Sequence, residues 1–173
     1  MTREDFKSDE EWYFYHWLKE AEEYNLVSLI EYQPESIQLC SKASIGYEKE
    51  LKTKTKIMEK FLFDPHKYTP DFAFTVIHEW LDKYFINTSY LAKNRVLVDI
   101  KGTFNKYSDA KQFSINQKWC YDKFDIYIEK IVPEKFFKES WCPEECRLTP
   151  KQKKPVKKYV GVPVIKDFIE GVR

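Results

Sequence analysis

Phe14, Trp17, Leu18 and Ala21 recur at three- and four-residue steps, the spacing of one buried helical stripe. Ser8 followed by Asp9, Glu10 and Glu11 is a capping box, in which the serine hydroxyl and the Glu11 side chain satisfy exposed backbone donors. Together these predict a helix from Asp9 to Glu23, ending before Asn25, with Tyr15 and Tyr24 near the edges of its stripe. Glu11 stands three residues before Phe14, on or beside the inward face, where a carboxylate is costly without a partner or a task.

Beyond the helix the period changes. Residues 26–30 and 36–40 read as short strands around a turn at Gln33-Pro34-Glu35, and the lysine-rich stretch 48–56 reads as exposed. Apolar content rises again from Ile57 through Phe61, Leu62 and Phe63, and residues 71–76 alternate as a strand does, with Pro70 where a missing N–H is tolerated. Residues 78–85 look helical or irregular. Residues 96–101 form the most apolar strand, of the kind buried on both faces, closed by Gly102. A second helix is expected from Ser108 through Phe113, Ile115 and Trp119, and a further strand over 124–132. The order helix, strands, helix, strand predicts an α/β fold, a mixed central β-sheet flanked by helices.

A length of 173 residues fits a single domain over 1–173, with its core at about 6–132 and a C-terminal extension, 133–173, that carries a basic segment. With 43% hydrophobic and 33% charged residues and a mean hydropathy of -0.62, the chain has material for a core and a polar surface. No apolar run approaches the roughly 18 to 20 residues of a membrane span, and the start Met1-Thr2-Arg3-Glu4-Asp5 is acidic; a cytoplasmic protein without a membrane partner is expected. Cys40 and Cys120 sit among apolar neighbours, as buried thiols do. Cys142 and Cys146 are close enough for half a zinc site, but no second Cys or His pair follows, and His16, His66 and His78 are scattered. The net charge of +1 leaves distribution to decide any phosphate binding, and the basic cluster is Lys151, Lys153, Lys154, Lys157 and Lys158.

Three charges stand where the pattern wants none: Asp71 opens an apolar strand, and Asp99 and Lys101 lie near the end of the most hydrophobic one. Residues 99 and 101 differ by two and so share a face. If the strand at 71 pairs beside the strand at 99, the Asp71 carboxylate reaches the same spot. Carboxylates that converge repel unless a cation lies between them, and hard oxygen ligands suit Mg²⁺ or Mn²⁺. A metal there lowers the pKa of a coordinated water and offsets charge growing on a phosphate, while the Lys101 ammonium holds a phosphate oxygen. Glu11 can add a ligand or orient a metal-bound water. The bland readings are an intrastrand ion pair for Asp99 and Lys101, a turn residue for Asp71, and a helix cap for Glu11.

Pro70-Asp71 followed 28 positions on by Asp99-Ile100-Lys101 resembles the PD-(D/E)xK signature of the restriction-endonuclease-like superfamily. The surroundings, Phe6-Lys7-Ser8 to Glu11 with Tyr15 and Leu18, Gln33-Pro34, Tyr68-Thr69-Pro70-Asp71-Phe72, Val98-Asp99-Ile100-Lys101-Gly102 and Gln117-Lys118, look like small phage endonucleases related to Holliday-junction resolvases, over about residues 6–130. The resemblance implies a restriction-endonuclease-like core, a metal site of Glu11, Asp71, Asp99 and Ile100, and a catalytic lysine at Lys101. It also implies that Gln117 or Lys118 touches the scissile phosphate or orients the site. Residues 78–95 exceed what that hairpin usually needs. The expected function is a Mg²⁺-dependent DNA endonuclease acting on branched or junction DNA as a homodimer, with no small-molecule cofactor. Lys118, Lys153, Lys154, Lys157 and Lys158 are the expected DNA contacts. The alternatives are a nonspecific or nicking nuclease, and a nucleic-acid-binding module that keeps the fold without the catalysis.

Overall fold

The computed structural model describes residues 1–91, 93–102, 107–149 and 154–172. In chain order the elements are α1 (Asp9–Glu23), β1 (Val27–Tyr32), β2 (Ile37–Cys40), β3 (Ala43–Leu51), β4 (Lys54–Phe63), β5 (His66–Tyr68), β6 (Phe72–Val76), α2 (Ile86–Ser89), β7 (Arg95–Ile100), α3 (Tyr107–Phe124), β8 (Ile128–Ile131), α4 (Pro133–Glu139), α5 (Glu144–Arg147) and α6 (Ile165–Val172). Short 3-10 turns at Glu79–Tyr84 and Lys157–Tyr159 lie between them.

The central sheet has the order β1-β6-β7-β8 and is mixed: β1, β6 and β7 pair antiparallel, and β8 lies parallel to β7. The fold is therefore α/β, a mixed sheet between helices. The change to parallel pairing follows from α3, which carries the chain back across the sheet between β7 and β8.

Strand parity sorts the two faces. Val96, Val98 and Ile100 of β7 join Phe72, Phe74 and Val76 of β6 in the main core, beneath Phe14, Trp17, Leu18 and Ala21 of α1. Leu97 points the other way, into a smaller cluster of Leu39, Tyr68, Phe113, Cys120 and Ile128 under α3. The expected strand over 124–132 is thus shorter at its start, because Phe124 ends α3. Among the described positions of α3, Phe113, Asn116 and Cys120 are buried, whereas Ile115 and Trp119 are exposed.

The main core extends well past residue 132. Phe136, Phe137, Trp141, Cys142, Cys146, Tyr159, Ile165, Phe168 and Ile169 all belong to it, so the segment read as an extension covers the α1 face of the sheet. Trp17 and Trp141 stack at 4.3 Å, and Trp17 Nε1 donates to Ser140 Oγ at 3.2 Å. Both carboxylate oxygens of Glu20 reach the same segment, accepting from Trp141 Nε1 at 3.1 Å and from the Glu144 amide at 2.7 Å.

Two ladders lie outside the central sheet. β2 and β5 pair antiparallel beside α3, and β3 and β4 form a long hairpin inserted between them. Residues 48–56 are exposed as expected, and they form strand and turn.

Candidate active site

Four predicted residues gather at one end of the central sheet. The β6/β7 register ends at Phe72 opposite Val98, and Asp71 lies just outside it, beside Asp99. The Asp71 amide donates to the Val98 carbonyl at 2.9 Å, and Asp71 Oδ2 accepts from the Ile100 amide at 2.7 Å. Pro70 and Asp71 thus extend the β6 edge just far enough to turn a carboxylate across the ladder.

Asp99 is 4% exposed. Its Oδ1 accepts from Tyr68 Oη at 2.7 Å. Its Oδ2 forms an ion pair with Lys101 Nζ, yet no hydrogen bond of acceptable geometry reaches that buried oxygen. Lys101 shares the face of Asp99, as the two-residue spacing requires, and its ammonium lies 5.6 Å from the Phe113 ring centre on α3.

Glu11 arrives from the opposite layer. Ser8 Oγ accepts from the Glu11 amide at 3.2 Å, which is the expected cap. The reciprocal half differs: Glu11 Oε2 accepts from the Lys7 amide at 3.2 Å rather than from the Ser8 amide, and from Tyr32 Oη at 2.8 Å, while the Ser8 hydroxyl donates to Glu11 Oε1 at 3.1 Å. Tyr32 ends β1, at the same end of the sheet as Asp71 and Ile100, which is how α1 delivers its acid there.

The charges feel one another. Burial, then the Asp99 carboxylate, raise the Asp71 carboxyl to about 7, with Glu11 adding to the rise and the Ile100 amide and Lys101 opposing it. Burial and the Glu11 carboxylate push the Tyr32 phenol up to about 12. Burial and Asp99 push the Tyr68 phenol far up, so it remains a donor. Neither tyrosine was assigned a role from sequence. Tyr68 was visible only as a neighbour of Pro70-Asp71, and its link to Asp99 depends on β5 folding back under α3.

Among the described residues, no three Asp, Glu, His or Cys side chains close into a metal cage. Mg²⁺ does not need one, since it is commonly held by one or two carboxylates with water and substrate phosphate completing its shell. The underbonded Asp99 Oδ2 and the Asp71 carboxyl, whose ionisation the neighbouring acids oppose, fit such a cation. The Ile100 backbone takes part through its amide, which orients Asp71. Glu11 is held by its cap and Tyr32, one layer away.

Other predicted residues lie elsewhere. Gln117 Nε2 donates to the Ile128 carbonyl at 2.6 Å, bracing α3 to the start of β8. With Lys118 it lines a groove beside Ile86, Leu91, Tyr121 and Tyr127. Lys154 is exposed, and its amide donates to Thr149 Oγ1. Lys157 is exposed, and Lys158, paired with Glu134 at 3.3 Å, lines a small crevice together with Lys101. Lys151 and Lys153 lie outside the described residues. Of the long connection 78–95, Leu81 and Phe85 enter the main core, and Asn87 bonds to Glu129. Trp80 packs against that core and its ring lies 4.0 Å from His78. His66 Nε2 meets Asn116 Oδ1 at 2.9 Å, and no helix among the described residues is long and apolar enough to cross a membrane.

Compared with protein-family models, with curated proteins and with solved structures, the chain matches none.

Proposed function

We propose that this chain is a metal-dependent DNA endonuclease of the PD-(D/E)xK type. The observation that carries the reading is the placement of Asp71, just beyond the start of β6, beside Asp99 of β7, with Lys101 on the face of Asp99. Burial and the neighbouring Asp99 carboxylate oppose the ionisation of Asp71, an arrangement that a divalent cation relieves.

Asp71 and Asp99 would hold Mg²⁺ or Mn²⁺, with Glu11 placed to accept a hydrogen bond from water in the outer shell. The cation would supply an acidified water and charge compensation at the phosphate. Tyr68 and the Ile100 amide orient one oxygen of each aspartate, leaving the others to face the reacting groups. Lys101 pairs with Asp99 in the free protein and can turn its ammonium to a phosphate oxygen once substrate enters. Lys158, which pairs with Glu134, shares a small crevice with Lys101. Branched or junction DNA as substrate and a homodimeric assembly follow from the resemblance.

Purified protein is incubated with four-way junction, nicked duplex and linear duplex DNA, in Mg²⁺ or in EDTA, beside Asp99→Ala and Lys101→Ala. Metal-dependent cleavage that both substitutions abolish is the expected result, with the junction cut fastest. DNA binding with no cleavage in either Mg²⁺ or Mn²⁺ would replace the nuclease by a binding module of the same fold.

A further inference from the structure

The β3–β4 hairpin separates its charges by face. Directly opposed residues in an antiparallel ladder share a face, and the register pairs Ile45 with Lys60, Tyr47 with Met58, Lys49 with Lys56, and Leu51 with Lys54. That face carries Lys49, Lys54, Lys56 and Lys60 and no acid. The other face pairs Ser44 with Phe61, Gly46 with Glu59, Glu48 with Ile57, and Glu50 with Thr55, and carries three glutamates and no lysine. The sequence shows only a run of mixed charge, which the ladder resolves into two surfaces.

The lysine face is arranged at a cost to the free protein. Lys49 and Lys56 stand directly opposite each other, a like-charge pairing that destabilises a ladder. Among the described residues, none of these four lysines has an ion-pair partner, and all four are exposed. Exposed Ile45, Tyr47 and Leu51 flank them. A lone two-stranded ribbon is marginal in water and both faces leave apolar groups open, Ile57 and Phe61 on the glutamate side, so it is the unpaired positive charge that sets the lysine face apart and calls for a partner.

We propose that the lysine face of the hairpin is a binding surface for the phosphate backbone of duplex DNA, the choice of DNA resting on the nuclease reading above. A two-stranded ribbon fits the major groove, and lysines on one side of it meet phosphates while the glutamates are turned away. The hairpin is joined to β2 and β5 by residues 41–42 and 64–65 alone, and β5 ends at Tyr68, the donor to Asp99. The same short ladder therefore carries the grip and orients the aspartate. A second copy is the poorer occupant: a lysine face on a neighbour's glutamate face is a head-to-tail contact that propagates instead of closing.

The test uses the full chain in EDTA and follows fluorescence anisotropy of a labelled duplex across a salt series. Wild type is compared with Lys49→Gln/Lys54→Gln/Lys56→Gln/Lys60→Gln and with Glu48→Gln/Glu50→Gln/Glu59→Gln. The lysine variant is expected to bind at least about tenfold more weakly, with the slope of log affinity against log salt reduced by roughly three to four. The glutamate variant should bind as tightly as wild type or more tightly. Hydrolysis of bis(p-nitrophenyl) phosphate in Mn²⁺ should be the same in wild type and the lysine variant, since that substrate is too small to reach the hairpin. An unchanged salt slope in the lysine variant overturns the proposal even if the protein cuts DNA. A lost slope in a protein that hydrolyses neither substrate leaves the grip standing and removes the nuclease. Salt-sensitive self-association that disappears in the lysine variant, with DNA affinity unchanged, assigns the face to a second copy and also overturns the proposal.

Discussion

Tyr68 and Asp99 meet side chain to side chain, the phenol donating to Oδ1 at 2.7 Å while Oδ2 faces Lys101. Tyr68→Phe removes only the donor from a buried charged acceptor, a loss worth about 1.5–3 kcal/mol. For a chain of this size the unfolding midpoint should fall by about 3–12 °C. Calorimetry at pH 8 without metal reads this directly, and an unshifted midpoint would mean that the hydrogen bond contributes nothing.

Asp71 gives the stability a pH signature. Its carboxyl is raised to about 7 in the folded chain from an ordinary value of 3.8, so between these values the folded state keeps a proton that the unfolded state has released. The penalty for ionising it is absent below about 3.8, grows as pH rises, and is complete above about 7. In EDTA, Asp71→Asn should therefore gain on wild type between pH 4 and pH 8, by about 1–4 kcal/mol at the upper end. Denaturant titrations at several pH values decide it; a difference independent of pH contradicts the buried, acid-flanked setting of Asp71.

Metal should remove that penalty. Millimolar Mg²⁺ or Mn²⁺ is expected to raise the unfolding temperature of wild type by a few degrees, more at pH 8 than at pH 5, because a cation that binds only the folded state stabilises it. Asp71→Asn/Asp99→Asn should not respond. An equal response in both proteins would locate the cation elsewhere.

Glu11 has two roles to separate. Glu11→Ala deletes the acceptor of the Lys7 amide and of Tyr32 and should cost about 2–4 kcal/mol. Glu11→Gln keeps an acceptor and should cost about 1 kcal/mol. If hydrolysis survives in the glutamine variant, the residue is a cap and positioner; a loss of two orders of magnitude or more with the fold intact makes its charge catalytic.

Much of this architecture was legible because it is written in local periodicity. The α1 stripe, the Ser8 cap and the two apolar strands needed only spacing, and Asp71, Asp99 and Lys101 stood out as charges against it. The rest depends on partners distant in sequence. Tyr68 reaches Asp99 only because β2, β5 and α3 stack together. Gln117 looked like a site residue by its order in the chain, whereas the turn of α3 aims it at the Ile128 carbonyl. In the segment after residue 132, α4 and α5 are short and bury scattered side chains rather than a stripe, whereas Ile165, Phe168 and Ile169 of α6 recur at helical steps, a signal the sequence carries and the expected elements leave out.

Gln117→Ala offers a check on that placement. It should cost about 1 kcal/mol through the lost brace and change hydrolysis of a small phosphodiester by less than about threefold. A far larger loss of activity in a fully folded variant would put Gln117 at the chemistry.

The Trp17–Trp141 stack sets an order on biosynthesis. The face of the sheet that α1 shares with Phe136, Trp141 and Phe168 cannot close until those late residues have been translated, although every acid of the site precedes residue 100. A nascent chain therefore carries Glu11, Asp71 and Asp99 while part of its interior is still open to water. The helix that delivers Glu11 gains its contacts with Phe136 and Trp141 only once those late residues have been made.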